Sequence, residues 1–261
     1  MTRLQWTVIM IAVLSVLVLY FGFDTKSSKE KGDLAQIEKS GISLDIIPLI
    51  ESAKQALNSA DLNEINALEH RVQTLQGEEE IAGLKELSGK WYRLNAPHIA
   101  GHYAEAVAEK TNSAEAWSIA ATTYLAGVGQ QDRTVSDWCL NQAIQSFENA
   151  ISIDPGNTQY RVNLALLYAE KPPQDNPMKG VQMLLALNEK YPDDVLVLNA
   201  LARLAVKTGQ WDRAKARLEK SASLQEDNAS TICLLADVYQ QLDDVRAQAM
   251  KDKCEFLTSK R

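Results

Sequence analysis

Two histidines four positions apart are the first residues of this sequence whose types and spacing could do chemistry. His98 and His102 lie in the stretch PHIAGHYAE, and Glu105 follows about one turn later on a helix predicted to begin after Pro97. Side chains at i and i+4 share a helix face, so this face could hold a divalent metal ion that activates a water for hydrolysis. The H-E-x-x-H pattern of zinc hydrolases is absent, and two ligands on one helix often arise by chance. A metal-dependent hydrolase is therefore the least favoured of three functional hypotheses.

The other reactive side chains form no recognisable catalytic pattern. The sequence has no Gly-rich phosphate loop and no G-x-S-x-G, and no cysteine is placed suggestively beside a histidine. A formal net charge of −7, without a compact run of Lys and Arg, argues against a general nucleic-acid binder. The sequence predicts a protein that is not an enzyme, has no cofactor or metal, and binds neither nucleic acid nor a small-molecule substrate.

An uncharged stretch near the N-terminus predicts a transmembrane helix. Residues 6–23 read WTVIMIAVLSVLVLYFGF, which as a helix spans about 27 Å, close to the thickness of the bilayer hydrocarbon. Aromatic residues at both ends of this stretch suit the two membrane interfaces. A cleaved signal peptide is the alternative, but residues 20–26 offer no pair of small residues for the cut. We assign residues 1–25 to an anchor and residues 26–43 to a polar juxtamembrane linker.

The charges that flank this stretch leave its orientation open. Arg3 lies on one side, with Lys26, Lys29 and Lys31 on the other, so the positive-inside count slightly favours a cytoplasmic repeat domain. A short N-terminal tail with one Arg, however, more often stays inside while the following domain is exported. We expect a single-pass membrane protein whose domain lies outside the cytoplasm, and a cytoplasmic domain is the alternative.

Repeated pairs of amphipathic helices are predicted for the rest of the chain. The clearest copy is residues 195–228, VLVLNALARLAVKTGQWDRAKARLEKSASLQEDN. Leu198 and Ala202 lie on one helix face, Gly209 ends that helix, and Ala214 begins a second apolar face. Such a pair cannot bury its apolar faces alone, so neighbouring pairs must stack. With only 12 Gly, 7 Pro and 46% hydrophobic residues, the composition agrees with an all-α domain.

The helix pair resembles the tetratricopeptide repeat (TPR), a 34-residue helix-turn-helix with small residues where its two helices cross. Ala202 and Ala214 occupy the small positions and Gly209 the turn, and FENAISIDP at 147–155 is the most family-specific string. The resemblance is to membrane-anchored TPR proteins common in bacteria. It implies a transmembrane helix, in a bacterial inner membrane, followed by a right-handed α-solenoid of about five to six repeats. The predicted repeats span 81–113, 114–157, 158–194, 195–228 and 229–258, and residues 44–80 form a degenerate first repeat or a helical cap.

In this family the first helices of successive repeats line a concave groove, and the resemblance implies that partner contacts come from it. The implied groove residues are Tyr92, Arg93, Ser118, Thr122, Gln159, Asn163, Asn199, Arg203, Lys207 and Asp237. Asn163 and Asn199 could hold an extended peptide backbone, because each amide both donates and accepts. Arg203 and Lys207, one turn apart, could receive a carboxylate.

Two of the predicted repeats are longer than 34 residues, and both insertions lie between the two helices of the pair. They fall at residues 127–137 and 171–180. Because the turns inside the repeats of a solenoid lie along one edge, the two loops should be neighbours. They are either tolerated surface insertions or a lip that helps to hold a partner. In the second case Pro172, Pro173 and Pro177 would limit the entropy lost on binding.

The three cysteines show no zinc-type spacing. Cys233 and Cys254 fall on the two helices of the last predicted repeat, where a disulfide could form. Buried free thiols are the commoner outcome for such cysteines, and we expect that outcome here.

The leading hypothesis from these observations is a membrane-tethered scaffold that binds a segment of a partner protein in its groove. The second is an extracytoplasmic chaperone or secretion-accessory protein that holds unfolded clients.

Overall fold

A computed structural model describes residues 44–259, and this part of the chain is helical without a β-strand. The helices are α1 Ile46–Gln55, α2 Ser59–Thr74, α3 Glu78–Arg93, α4 Pro97–Thr111, α5 Ala114–Leu125, α6 Arg133–Ile153, α7 Thr158–Glu170, α8 Lys179–Lys190, α9 Val195–Lys207, α10 Trp211–Leu224, α11 Ala229–Gln241 and α12 Ala247–Ser259. The prediction of an all-α chain built from helix pairs is confirmed for these residues.

Short polar side chains set where many of the helices begin. In each case a side-chain oxygen accepts a hydrogen bond from a backbone N–H of the first turn, which would otherwise have no partner. These capping residues are Asp45, Asn58, Ser113, Asp132, Asn157, Asp194 and Asn228. At the other end of α9, Gly209 adopts φ 70°, the left-handed conformation that glycine tolerates best, and the chain turns into α10 after three residues.

From α2 onward each helix packs against the next, and α9 also packs directly against α7 and α11. The small residues predicted at the helix crossing of the clearest repeat are where they were expected. Ala202 of α9 and Ala214 of α10 are fully buried in one apolar cluster with Leu218. An equivalent crossing joins α7 to α8, where a Cβ on Gly180 would stand 2.2 Å from the carbonyl oxygen of Ala165. Close approach of the two backbones therefore excludes any larger side chain at Gly180.

The two inserted segments differ in structure from a pair of plain loops. The first connection covers only residues 126–132, because Asp132 caps α6 and the stretch from Arg133 onward is helical. As a result α6 has 21 residues, and residues 133–137 of the predicted insertion extend this helix. The second connection covers 171–178 and contains all three predicted prolines.

The first described residues reach the middle of the helix stack. Leu44, Ile46 and Leu49 pack against the apolar cluster formed by α5, α6 and α7, while Ile50 is buried in the cluster of α2, α3 and α4. Asn58 caps the following helix, α2, because its side-chain oxygen accepts a hydrogen bond from the backbone N–H of Asp61.

A disulfide joins α11 to α12. Cys233 and Cys254, with Cα atoms 4.9 Å apart, are bonded, so the expectation of free thiols at these positions was wrong. Cys139 is free and buried beneath the first inserted connection, and burial raises the pKa of its thiol to about 12.

The predicted anchor at residues 6–23 and the linker at 26–43 lie outside the described residues. Within residues 44–259, no helix combines the length and the hydropathy that a bilayer span requires.

Candidate functional site

A cavity of about 500 Å³ lies between α3, α4 and α5. Its walls are mostly small or hydroxyl side chains, and charged groups stand at Lys85 on α3 and Glu115 on α5. Ile119 of α5 also lines it and is 54% exposed, which leaves a large apolar side chain facing solvent. The remaining lining residues are Ser88, Gly89, Ala104, Val107, Thr111, Ser113 and Ala116. The arrangement can accept an apolar group at its base and polar groups at its rim.

Two further cavities continue from this one. The second, about 430 Å³, shares Ser88 and Gly89 with the first and extends to Tyr92, Arg93 and Thr122. We call these first two cavities the α3–α5 furrow. A third cavity of about 380 Å³ shares Thr122 with the furrow and lies between α5 and α7. It is lined by Thr122, Leu125, Val128, Phe147, Asn163, Leu166, Leu167, Glu170 and Lys171. The three together form a surface, here called the groove, that crosses three successive first helices.

Four of the predicted groove residues line this groove. They are Tyr92 and Arg93 on α3, Thr122 on α5 and Asn163 on α7. Gln159 lies one turn before Asn163 and donates a hydrogen bond to its side-chain oxygen at 2.9 Å, which orients the amide of Asn163. Ser118 is half-buried on α5 and lines none of the three cavities.

Asn199 was predicted to face the groove, and the structure buries it instead. Its side chain is 7% exposed, donates to the hydroxyl of Thr231 at 2.8 Å, and accepts from the hydroxyl of Ser221 at 2.8 Å. Ser221 and Thr231 also lie 3.1 Å apart, which closes a triangle of hydrogen bonds between α9, α10 and α11. The amide of Asn199 is therefore committed to the interior and cannot hold a peptide backbone.

The other predicted residues of the C-terminal half are exposed but outside the groove. Arg203 donates to the hydroxyl of Ser230 at 2.7 Å, which joins α9 to α11 across the face where the groove was predicted to continue. Lys207 and Asp237 lie exposed on the same two helices. None of these three charged residues lines a groove cavity.

The predicted loop edge meets the groove at two points. Val128 of the first inserted connection and Lys171, the first residue of the second, both line the third cavity. Pro172 and Pro177 in that connection are exposed and Pro173 is half-buried, and none of the three lines a groove cavity.

Several residues of the furrow were missed from the sequence. Lys85, Ser88 and Gly89 on α3 and Ile119 on α5 were not among the predicted contacts. A glycine in the middle of a helical pattern, where it lowers helix stability, is the signal that marks this place.

The histidines that opened the metal hypothesis lie on α4 with lowered pKa values. Burial is the main cause for both His98 and His102, opposed by the charges of Asp132 and Glu109 respectively, so the neutral forms are favoured. His98 Nδ1 is buried without a hydrogen-bond partner in the described structure. Residues 44–259 bring together no group of three or more His, Cys, Asp or Glu side chains that could hold a metal ion.

Glu105, the third member of that helix face, faces the interior. Tyr124 and Gln142 donate hydrogen bonds to its carboxylate. Burial raises the pKa of Glu105, and the nearby Glu109 adds to the increase, while the two hydrogen bonds act against it. Glu105 therefore links α4 to α5 and α6 behind the groove.

The type of fold follows from the helix packing. The helices, most of them 12 to 16 residues long, are paired, small residues lie at the helix crossings, and the first helices pack in sequence from α7 to α11. The fold is tetratricopeptide-like. No protein-family model matches the chain, and no curated protein matches it in sequence.

Solved structures with a related course of the chain include MamA residues 41–end from Desulfovibrio magneticus RS-1. It has 14% sequence identity, covers 71% of this chain and 96% of that chain, and has a TM-score of 0.42. A thermophilic TPR protein from Thermus thermophilus has 20% identity, covers 67% of this chain and 89% of that chain, and has a TM-score of 0.49. Structural similarity at these TM-scores does not identify a functional site. The tetratricopeptide-like assignment rests on the helix packing described above.

Proposed function

We propose that the chain is a membrane-tethered scaffold without catalytic activity that holds an extended segment of a partner protein in the groove. The observation that carries the proposal is the continuity of the three cavities, which share Ser88, Gly89 and Thr122 and cross α3, α5 and α7. Both apolar and hydroxyl side chains line this surface. That mixture suits a peptide, whose backbone needs hydrogen bonds and whose side chains need apolar contacts.

The proposed partner is a protein segment because the groove is long and shallow. It is open to solvent along its course, and its cations and carboxylates do not converge on one point. An enzyme site would bring a nucleophile or a general acid and base within hydrogen-bond distance of a common position. Glu105 has a pKa raised by burial, as a general acid would need, but its carboxylate is turned toward the interior and accepts a hydrogen bond from Tyr124.

A random peptide library displayed on phage and selected on the immobilised full-length protein tests this function. Selected peptides should lose at least tenfold in affinity for Thr122→Arg, because the long side chain would occupy the point where the cavities meet. Thr74→Arg is a matched control. Both hydroxyls bond the carbonyl oxygens three and four residues earlier in their own helix, and Thr74, at the end of α2, lines none of the three groove cavities.

Affinity for selected peptides should stay within twofold for Thr74→Arg. Peptides that bind Thr122→Arg as tightly as the unmodified protein would place the binding surface elsewhere. Equal binding of many denatured proteins with no selected sequence would favour the chaperone hypothesis instead.

We also propose that the described domain lies outside the cytoplasm, tethered by residues 6–23. The disulfide between Cys233 and Cys254 supports this location, because disulfides persist in oxidising compartments and are rare in the cytosol. The uncharged N-terminal stretch supports the tether. A C-terminal fusion to alkaline phosphatase, an enzyme active only after export, should be active. A cytoplasmic reporter such as β-galactosidase that is active in the same position would overturn the location.

A further inference from the structure

Gly89 is a glycine that the fold itself does not require. It lies in the interior of α3, where glycine lowers helix stability relative to alanine. A Cβ at this position would meet only the guanidinium of Arg93, at 3.4 Å, and would otherwise point into open space. The contrast is with Gly83 of the same helix, whose Cβ would stand 2.7 Å from Val72. Because Gly89 lines both furrow cavities, the absence of a side chain at this position leaves the furrow open where the two cavities meet.

The two ends of the furrow carry cations that have no ion-pair partner among residues 44–259. Residues 44–111 contain six Lys and Arg residues. Four of them, Lys54, Arg71, Lys90 and Lys110, form ion pairs with carboxylates of this domain. The other two, Lys85 and Arg93, have no ion pair within the described part of the chain, and both line the furrow. The only carboxylate among the furrow residues is Glu115, on the opposite wall.

Lys85 and Arg93 lie at equal distances in sequence on either side of Gly89. Lys85, Gly89 and Arg93 are successive positions four residues apart, so they form one stripe along α3. Eight residues of helix rise about 12 Å. In an extended segment, side chains at positions −2, 0 and +2 point the same way, and positions −2 and +2 are about 13 Å apart. The furrow runs beside α5, whose lining residues follow in the same order from Glu115 to Thr123.

From this match we propose, as a deepening of the function proposed above, that the α3–α5 furrow selects an extended segment with a bulky apolar residue at its centre and carboxylates two positions before and after it. The apolar side chain enters over Gly89, between Ile119 and Val107. The carboxylates meet Lys85 at one end and Arg93 at the other. Tyr92, 54% exposed beside Arg93, covers the segment at that end.

Synthetic nine-residue peptides test this directly, with fluorescence anisotropy on the full-length protein. The reference peptide has a central leucine with glutamate at −2 and +2. Replacing the leucine by serine should weaken binding at least tenfold, because the apolar contact is lost. Moving the glutamates to −1 and +1, or replacing them by glutamine, should weaken binding by about threefold to tenfold, as expected for exposed charge pairs.

Variants of the protein complete the test. Gly89→Leu should fill the furrow and weaken the reference peptide at least tenfold, while Gly89→Ala should raise the melting temperature by roughly 2 °C. Lys85→Glu should weaken it severalfold, whereas Lys207→Glu, the same change at another exposed first-helix cation, should not.

Two outcomes separate this inference from the function on which it depends. If library peptides bind and Thr122→Arg blocks them, but Gly89→Leu and the position of the glutamates have no effect, the furrow preference is wrong and the scaffold function stands. If neither library peptides nor the reference peptide bind in the groove, both are wrong.

Discussion

From α3 to α7, cavities separate the first helices of successive pairs. In the C-terminal half, by contrast, α9 packs directly on both α7 and α11. The difference corresponds to how far the side chains of the first helices are buried. On its open face α5 carries Ala116, Ile119 and Thr122, and it leaves space on both sides. In α9 valine and leucine occupy most positions, and eight of its 13 residues are buried. The first helix α5 therefore leaves part of its groove face exposed, including Ile119, whereas α9 buries most of its residues against its neighbours.

The closed half is also fastened at its end. Lys215 bonds Asp244 at 2.8 Å, Arg246 bonds Glu219 at 2.9 Å, and the Arg246 guanidinium lies 4.3 Å from the ring centroid of Tyr239. Hydrogen bonds from Arg246 and Lys215 hold the pKa of the Asp244 carboxyl well below its usual range. These contacts hold the C-terminal pair to α10. Residues 44–111 have ion pairs of their own, so among the described residues it is the disulfide between α11 and α12 that distinguishes the closed half.

Replacing one glycine in each half by alanine should change the free energy of unfolding in opposite directions. This comparison of the two halves has the largest expected effect. Gly180→Ala should lower the free energy of unfolding by about 3 kcal/mol, because its Cβ would stand 2.2 Å and 2.5 Å from backbone atoms of α7. Gly89→Ala should raise it by about 0.5–1 kcal/mol, because the open furrow accepts the methyl group. Urea unfolding followed by circular dichroism measures both. A destabilised Gly89→Ala would show that the furrow wall is packed in solution.

Removing the disulfide should weaken only the closed half. Cys233 and Cys254 are 21 residues apart, so replacing both by serine should lower stability by about 3 kcal/mol in the loop-entropy account. Affinity for groove peptides should not change. The matched control is treatment with dithiothreitol, which should lower the melting temperature of the unmodified protein and leave that of the double serine variant unchanged. Equal melting temperatures with and without the reductant would contradict the bond.

Two asparagines on first helices should respond differently to alanine. Asn199→Ala should lower the free energy of unfolding by about 2 kcal/mol, because it leaves the buried hydroxyls of Ser221 and Thr231 without their amide partner. Asn163→Ala, in the open groove, should change it by less than about 0.5 kcal/mol and weaken peptide binding instead. Similar losses of stability at both positions would remove the distinction between the two halves. Chemical denaturation of the two variants in parallel decides it.

The smallest expected effect concerns pH and the carboxylate behind the groove. Burial raises the pKa of Glu105 above its ordinary value of 4.5, so folding favours its protonated form. Its contribution to stability is present below pH 4.5 and is lost as the pH rises through the raised pKa. Glu105→Gln keeps an acceptor for Tyr124 and removes this loss, so the variant should melt higher at about pH 7 and show no difference at about pH 4.

A control for this pH effect is Glu226→Gln in the exposed turn before α11, which should match the unmodified protein at both pH values. His98 and His102 act in the opposite direction and are common to all three proteins. Burial lowers their pKa values below 6.5, so their contribution to stability is present above that pH and falls as the solution becomes more acidic. A Glu105→Gln variant that melts lower at neutral pH would contradict the direction assigned to Glu105.

The sequence predicted those features that depend on residues close together in the chain. Ala202, Gly209 and Ala214 belong to one helix pair, and their spacing alone determined the turn and the crossing. Asn199 was misplaced because its partners, Ser221 and Thr231, are 22 and 32 residues away, and no local pattern distinguishes a buried amide from one in a groove. The disulfide was missed for the same reason, since pairing depends on how α12 returns to α11.

The furrow shows a second limit of local pattern. The family resemblance implied Tyr92 and Arg93 as groove residues and both line the furrow, but the resemblance gives no measure of the gap between α3 and α5. That gap depends on how α4 and its small residues separate the two first helices. Cavities between helices that are not adjacent in sequence could therefore be located only in the structure.

The packing of α1 has a mechanical consequence. Because Leu44, Ile46 and Leu49 pack on the cluster of α5 to α7, tension that enters the domain along the chain at residue 44 is applied near the middle of the stack. The load must first pull α1 away from its apolar contacts, and the outer helix pairs are not peeled off one after another. Force applied to the chain at residue 44 would therefore reach the helices that form the groove through α1, a short and partly buried helix.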